Sequence, residues 1–314
     1  MMRLVVLALG GNSLIRDKSH MTVQDQYRTC VDTCRHVVGL LKYNVNLVIT
    51  HGNGPQVGFI LRRSELSRRE LHTVPLDSCV ADTQGAMGYN IQMALHNELS
   101  QAGIKRNVAT VVTQVVVDAQ DPAFTHPSKP IGSFLSEADA LQRKQVEGWE
   151  VMEDAGRGWR RIVPSPLPRE IIEMEAIKSL LDRRMVVVAV GGGGIPVIRN
   201  EQGLLTGVEA VIDKDLASSL LARCLKADLF VISTGVAKVS LNYGKPNETP
   251  VDRMTVAEAE QYIREGHFAP GSMLPKIQAI VEFVKATGGR ALITNPEHIS
   301  EALEGKSGTL VSPA

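Results

Sequence analysis

Leu4-Val5-Val6-Leu7-Ala8-Leu9-Gly10-Gly11-Asn12 and Leu47-Val48-Ile49-Thr50-His51-Gly52-Asn53-Gly54-Pro55 repeat one pattern: a short apolar strand that breaks into a Gly-Asn turn. Between them Thr22 starts a helical pattern, with Asp25 three residues on as a capping-box partner. Val23, Tyr27, Val31, Cys34, Val38 and Leu41 follow as one apolar stripe. A strand–turn–helix–strand unit implies a right-handed crossover and a parallel sheet. In such open sheets ligands bind in the crevice beyond the carboxyl ends of the strands. Glycine in the turn lets backbone N–H groups close on an anion, and the next helix adds its positive end. Two such turns from one sheet suit two anionic groups held face to face, which is a layout for phosphoryl transfer.

Outward from this unit the alternation continues. Asp77–Leu99 is predicted helical and Val108–Val117 a strand; Arg169–Leu181 a helix, Val186–Val190 a strand that runs into Gly191-Gly192-Gly193-Gly194. Asp213–Leu225 follows as a helix, Leu229–Ser233 as a strand, Ser272–Ala286 as a helix, Ala291–Thr294 as a strand and Thr309–Ser312 as a final edge strand. The expected fold is α/β, a three-layer αβα sandwich with a mainly parallel sheet, one domain over residues 1–314. Residues 121–150 break the pattern: Pro122, Pro127 and Pro130, several charges and no long apolar period mark a small inserted subdomain, expected to act as a lid.

Composition narrows the function. Lys plus Arg and Asp plus Glu both number 34, so no global field draws the chain to nucleic acid or an anionic membrane, and any catalytic positive charge must be local. The four cysteines form no Cys-x-x-Cys pair and read as free thiols, which fits a reducing cytoplasm. The apolar run Leu4–Leu9 is too short for a secretory core, and no stretch approaches the length needed to cross a bilayer. Gly305-Lys306-Ser307 mimics the end of a Walker A loop, but Ser300 stands where that loop needs glycine. No G-x-G-x-x-G follows a strand, and no zinc or protein-kinase signature is present.

Two lysines sit where a helix dipole disfavours them. Ile212-Asp213-Lys214-Asp215 opens one helix, and Gly271-Ser272-Met273-Leu274-Pro275-Lys276 opens another. Acids and a capping Asp at a helix start need no further explanation, but a cation at the positive end is repelled unless an anion compensates it. A solvated lysine explains one such case; two in one chain point towards bound phosphate. His51 reads as a hydrogen-bonded structural residue at a strand end. Gly191–Gly194 reads as a turn facing a ligand rather than a flexible loop, because Ile195-Pro196 stiffens it at once.

These motifs, together with Glu153-Asp154-Ala155-Gly156-Arg157-Gly158-Trp159-Arg160 and in this order, resemble the amino acid kinase family, and within it the carbamate kinases, from Leu4 to Leu310. The resemblance implies reversible phosphoryl transfer between ATP and carbamate, giving ADP and carbamoyl phosphate, with Mg²⁺ held mainly by the nucleotide phosphates. It implies a cytoplasmic homodimer that runs towards ATP in amino-acid or purine-derivative breakdown. Another acylphosphate-forming member, or a silent nucleotide-binding protein on the same fold, is the alternative. Carried over by the resemblance, Gly10, Gly11, Asn12, Gly52, Asn53 and Gly54 would hold carbamate and the migrating phosphate. Lys214 and Lys276 would neutralise the nucleotide phosphates, Asp213 would orient them, and Lys129 would reach in from the insertion. Gly193, Gly194, Asp215, Ser233, Thr234, Gly235, Val236, Ala237 and Met273 would face the nucleotide. Gly235 departs from the acidic residue or alanine common at that place. Carbamate is already an anionic oxygen nucleophile, so no general base is needed.

Overall fold

Leu4–Leu9 lies at the centre of a sheet, paired in parallel with Asn46–His51 on one side and Leu229–Ser233 on the other. The structure, a computed structural model, describes residues 3–11, 20–154, 156 and 158–314. Eight strands form this main sheet, in the order Arg253–Thr255, Thr309–Ser312, Arg290–Thr294, Leu229–Ser233, Leu4–Leu9, Asn46–His51, Val186–Val188 and Val108–Thr110. All adjacent pairs are parallel except Arg290–Thr294 with Thr309–Ser312. The register aligns Leu9 with His51 and Ser233, and Ser233 with Thr294. Their carboxyl ends therefore finish level, and the turns that follow emerge along one rim.

Strand side chains alternate between the two faces. Val5, Leu7, Leu9, Leu47 and Ile49 pack under the helices Val23–Leu41 and Leu76–Gln101. Val6, Ala8, Val48, Phe230 and Ile232 face the helices Lys214–Cys224 and Met273–Thr287, where the rings of Phe230 and Phe283 meet edge-on at 5.5 Å. Two buried cores, one on each side of the sheet, make the αβα sandwich. Thr22 and Asp25 form the expected capping box. Of the stripe it introduces, Cys34, Val38 and Leu41 are buried, Tyr27 and Val31 half-buried, and Val23 at its start exposed.

Three elements differ from expectation. Val108–Val117 is two strands, Val108–Thr110 in the main sheet and Gln114–Val117 in a separate four-stranded sheet. The break falls at Thr113, whose N–H donates to the Gln84 side chain and whose carbonyl accepts from both Gln84 Nε2 and the Ile195 N–H. Arg169–Leu181 begins as the strand Pro168–Ile171, paired with Gln114–Val117, and turns helical only at Met174. Thr309–Ser312 is covered by Arg253–Thr255, so it is not the edge.

The insertion builds its own antiparallel sheet from Lys129–Leu135, Trp159–Val163 and Glu150–Glu153, with the helix Glu137–Glu147 beside it. This sheet continues to Val163, past residue 150. It rests on the helix Gly54–Ser67, where a Cβ added to Gly58 would stand 2.0 Å from the Gly132 Cα. Backbone therefore meets backbone at that joint. Beside it Arg161 pairs with Glu65 at 3.2 Å, and Arg143 and Arg161 both lie over the Trp149 ring, 4.8 and 4.9 Å from its centre. Among the described residues, no helix is long and apolar enough to cross a membrane.

Candidate active site

The rim formed by the carboxyl ends of the central strands collects most of the residues singled out in the sequence. Gly10 closes the first strand against the Ser233 carbonyl oxygen, which would be 2.7 Å from a Cβ, whereas Gly11 faces open space. Asn12 lies outside the described residues. The Gly52 N–H donates to the Leu9 carbonyl at 3.1 Å, tying the two turns together. The stem of Lys214 crosses directly over Gly52, with its Cδ 3.2 Å from where a Cβ would be. The Gly52 turn and the first helical lysine are thus in contact.

The three ammonium groups converge on two neighbouring carboxylates. Lys129 Nζ reaches from the inserted sheet to Asp213 Oδ2 at 2.6 Å. Lys214 Nζ bonds Asp215 Oδ1, and Lys276 Nζ bonds Asp215 Oδ2 at 3.1 Å and the Ser272 carbonyl at 3.1 Å. The other oxygen of Asp213 accepts from the N–H groups of Asp215 and Leu216, at 2.9 and 3.3 Å, and caps the helix Lys214–Cys224. Asp213 was expected to orient Lys214 and Lys276; the carboxylate bonded to both is Asp215.

Charge follows from this geometry. Burial would raise Asp213 and Asp215, but Lys129 acting on Asp213, and Lys214 and Lys276 acting on Asp215, outweigh it and hold both carboxyls below the ordinary aspartate range. Burial lowers Lys214, and the ammonium of Lys276 adds to that. Burial pulls on Lys276 too, yet Asp215 and Asp213 prevail and keep it above the usual lysine value. Three cations against two anions leave one positive charge in surplus at the strand ends.

The glycine run is a packing joint. A Cβ on Gly191 would lie 2.3 Å from His51 Nε2, on Gly192 2.2 Å from Asn53 Nδ2, on Gly193 2.5 Å from the Ile212 carbonyl oxygen, and on Gly194 2.1 Å from Val115. The run wedges between the acceptor turn and the residue that precedes Asp213, which is reason enough for glycine at Gly193 and Gly194 without any ligand contact. Val190 before it is held in the left-handed region at φ 54°, a strained place for a β-branched residue. Burial pushes the His51 ring down to about 4, so the imidazole is neutral, with Nδ1 3.0 Å from the Gly52 carbonyl oxygen.

The remaining expected nucleotide residues form the other end of the rim. Thr234 donates its N–H to the Thr294 carbonyl at 2.8 Å, Gly235 is exposed, and Val236 and Ala237 lead into the hairpin Val239–Leu241 with Thr249–Val251. Met273 begins the helix that carries Lys276. Ser233 is fully buried and, among the described residues, its hydroxyl has no hydrogen-bond partner, as is also true of Thr294 beside it. Gly54 faces open space at the start of its helix.

The sequence profile of the amino acid kinase family matches residues 3–295. The chain belongs to this family. Among its relatives, the carbamate kinase-like protein YahI of Escherichia coli K12 is 49% identical over 313 residues, covering 98% of each chain. The carbamate kinase of Trichomonas vaginalis is 49% identical over 311 residues, covering 98% of this chain and 99% of its own. Among solved structures, the carbamate kinase of Giardia lamblia bound to AMP-PNP superposes with a TM-score of 0.91 at 39% identity, covering 99% of this chain and 98% of that one.

This amino acid kinase fold also brings to the site residues that the motifs did not flag. Thr83 and Gln84, on the helix Leu76–Gln101, are 0% and 1% exposed and bond the acceptor turn and the glycine run respectively. Their signal in the sequence is faint: two polar residues on the apolar stripe of Cys79, Val80, Met87 and Ile91.

Proposed function

We propose that this amino acid kinase is a carbamate kinase, transferring a phosphoryl group reversibly between carbamoyl phosphate and ADP. The observation that carries the reading is the convergence of Lys129, Lys214 and Lys276 on Asp213 and Asp215 next to the Gly52 turn. In the ATP-forming direction a terminal oxygen of ADP attacks the phosphorus of carbamoyl phosphate, and the bond from phosphorus to the carbamate oxygen breaks. Carbamate leaves as an anion, so no proton need be moved. The obstacle is repulsion between two anions, and positioning with electrostatic stabilisation supplies nearly all the catalysis in such transfers. Lys214 and Lys276 would face the ADP phosphates, while Lys129 and the turns at Gly11 and at Gly52-Asn53-Gly54 would hold the migrating group, the Gly52 N–H itself being taken by the Leu9 carbonyl. Mg²⁺ would enter as part of the MgADP substrate, held mainly through the nucleotide phosphates.

The inserted sheet would act as a lid, since it alone carries Lys129 and meets the main body at the glycine joint. A homodimer, a cytoplasmic site of action and a place in arginine or purine-derivative breakdown complete the reading by similarity to the carbamate kinases. The test is a coupled assay for ATP from ADP and carbamoyl phosphate, with acetyl phosphate as the comparison. ATP formed from carbamoyl phosphate alone supports the assignment; preference for acetyl phosphate, or no ATP despite measured ADP binding, overturns it.

A further inference from the structure

Asn53 occupies the position just before the helix Gly54–Ser67, where an asparagine side chain ordinarily folds over the first turn and accepts from its N–H groups. Here it makes no such bond, and its backbone is at φ −143°, ψ 11°. Its Nδ2 instead donates to Thr83 Oγ1 at 3.0 Å. The Thr83 hydroxyl spends its single proton on the Val80 carbonyl at 2.6 Å, so towards Asn53 its oxygen can only accept. That fixes which end of the Asn53 amide faces Thr83. On the other side the amide abuts Gly192, and Gly192 belongs to a run that the next residue, Gln84, ties down: its Nε2 donates to the Gly191 carbonyl at 2.9 Å and to the Thr113 carbonyl at 3.0 Å, and its Oε1 accepts from Thr113 N–H at 2.7 Å.

We infer that Thr83 is a positioning residue for phosphoryl transfer: it draws the Asn53 side chain away from capping its own helix, so that the first-turn N–H groups of Gly54 and Gln56 stay open to an anionic phosphoryl group. This deepens the carbamate kinase reading and rests on it. Pro55 has no N–H to offer, so the helix start presents few donors, and an Asn53 oxygen folded over them would take the place of the ligand. A Cβ on Gly54 would meet nothing within 4 Å among the described residues, so close packing does not cover that side of the helix start. Gln84 supports the arrangement by holding the glycine run against the far side of the same amide.

The decisive variant is Thr83→Val, which keeps the shape and removes the acceptor. Asn53 is then released to cap its helix. The expected result is a fall in kcat on the order of 10²-fold, the scale of a misplaced catalytic constellation, with the KM for ADP unchanged and Tm equal to or above that of the parent. Thr83→Ser, which restores the oxygen, returns kcat to within a few-fold of the parent. Adding Thr83→Val to Asn53→Ala costs nothing further in kcat. A Thr83→Val enzyme with parental kcat, a loss of activity matched by a loss of Tm, or full multiplication of the two effects in the double variant overturns the inference. Should the parent itself fail to make ATP from carbamoyl phosphate, the carbamate kinase reading fails; the inference is then read from crystal structures of Thr83→Val. There an Asn53 side chain swung onto the Gln56 N–H upholds it, and an unmoved one overturns it.

Discussion

The two walls of the candidate site are built on opposite principles. The proposed acceptor wall, from His51 to Gly54, contains no charge: His51 is neutral, Asn53 is held by Thr83, and Gly191 and Gly192 close against the turn from behind. The nucleotide wall is almost nothing but charge, with three ammonium groups on long stems around two carboxylates. On the acceptor wall geometry is set by close backbone packing, where a single methyl group would collide. On the nucleotide wall position is set by ion pairs that a ligand can exchange. A site that must bring two anions together needs both: fixed donors to hold one group in line, and mobile cations to neutralise the other.

The sharpest way to break this contrast is through the lysines. Lys276→Ala or Lys129→Ala is expected to lower turnover by on the order of 10²–10³ with the fold intact, as when one electrostatic stabiliser is removed; steady-state rates near the parent's would refute the role of the charged wall. The close packing behind the neutral wall should show itself in stability. Gly192→Ala places a Cβ 2.2 Å from Asn53 Nδ2 at a residue with φ 66°, so unfolding free energy should fall by about 3 kcal/mol or more. Urea denaturation checks it, and a shift under 1 kcal/mol would show that the joint yields.

The pH response separates the walls further. His51 titrates at about 4 in the fold against 6.5 when free. The unfolded chain therefore takes up this proton first as pH falls, and the stability that the neutral ring contributes is whole above pH 6.5 and lost progressively down to about 4. The loss amounts to about 3 kcal/mol. A His51→Gln variant should show a correspondingly flatter profile over that window, and an unchanged slope would mean the ring is not the group responsible. The smallest effect belongs to the joint of the inserted sheet: Arg161→Met should cost about 1 kcal/mol through the part-buried pair with Glu65, and Glu65→Gln in the same chain should recover part of it.

What could be read from the chain beforehand follows the range of the interaction. The strand–turn–helix unit is local, and Leu4–Leu9 and Leu229–Ser233 form within the expected bounds because nearly continuous apolar runs leave few alternatives. The misplaced lysines at 214 and 276 were legible as anomalies of a helix dipole, and the structure brings both to Asp215. The break inside Val108–Val117 was not, because its cause is Gln84, a residue 29 positions away. Thr83 escaped notice for the same reason: its partner Asn53 lies 30 residues off, and one polar residue in an apolar stripe carries no address. Nor could spacing reveal that Gly58 and Gly132 touch, since the contact joins a helix to an insertion.

That contact sets a length. Lys129 lies three residues before Gly132 on the same strand, and its ammonium arrives within 2.6 Å of Asp213. With hydrogen in place of a methyl group at the fulcrum, the arm rests as low as a polypeptide permits. A side chain on Gly58 would collide with Gly132 and lift the arm, so the reach of a distant cation is calibrated by the thinnest residues the genetic code provides.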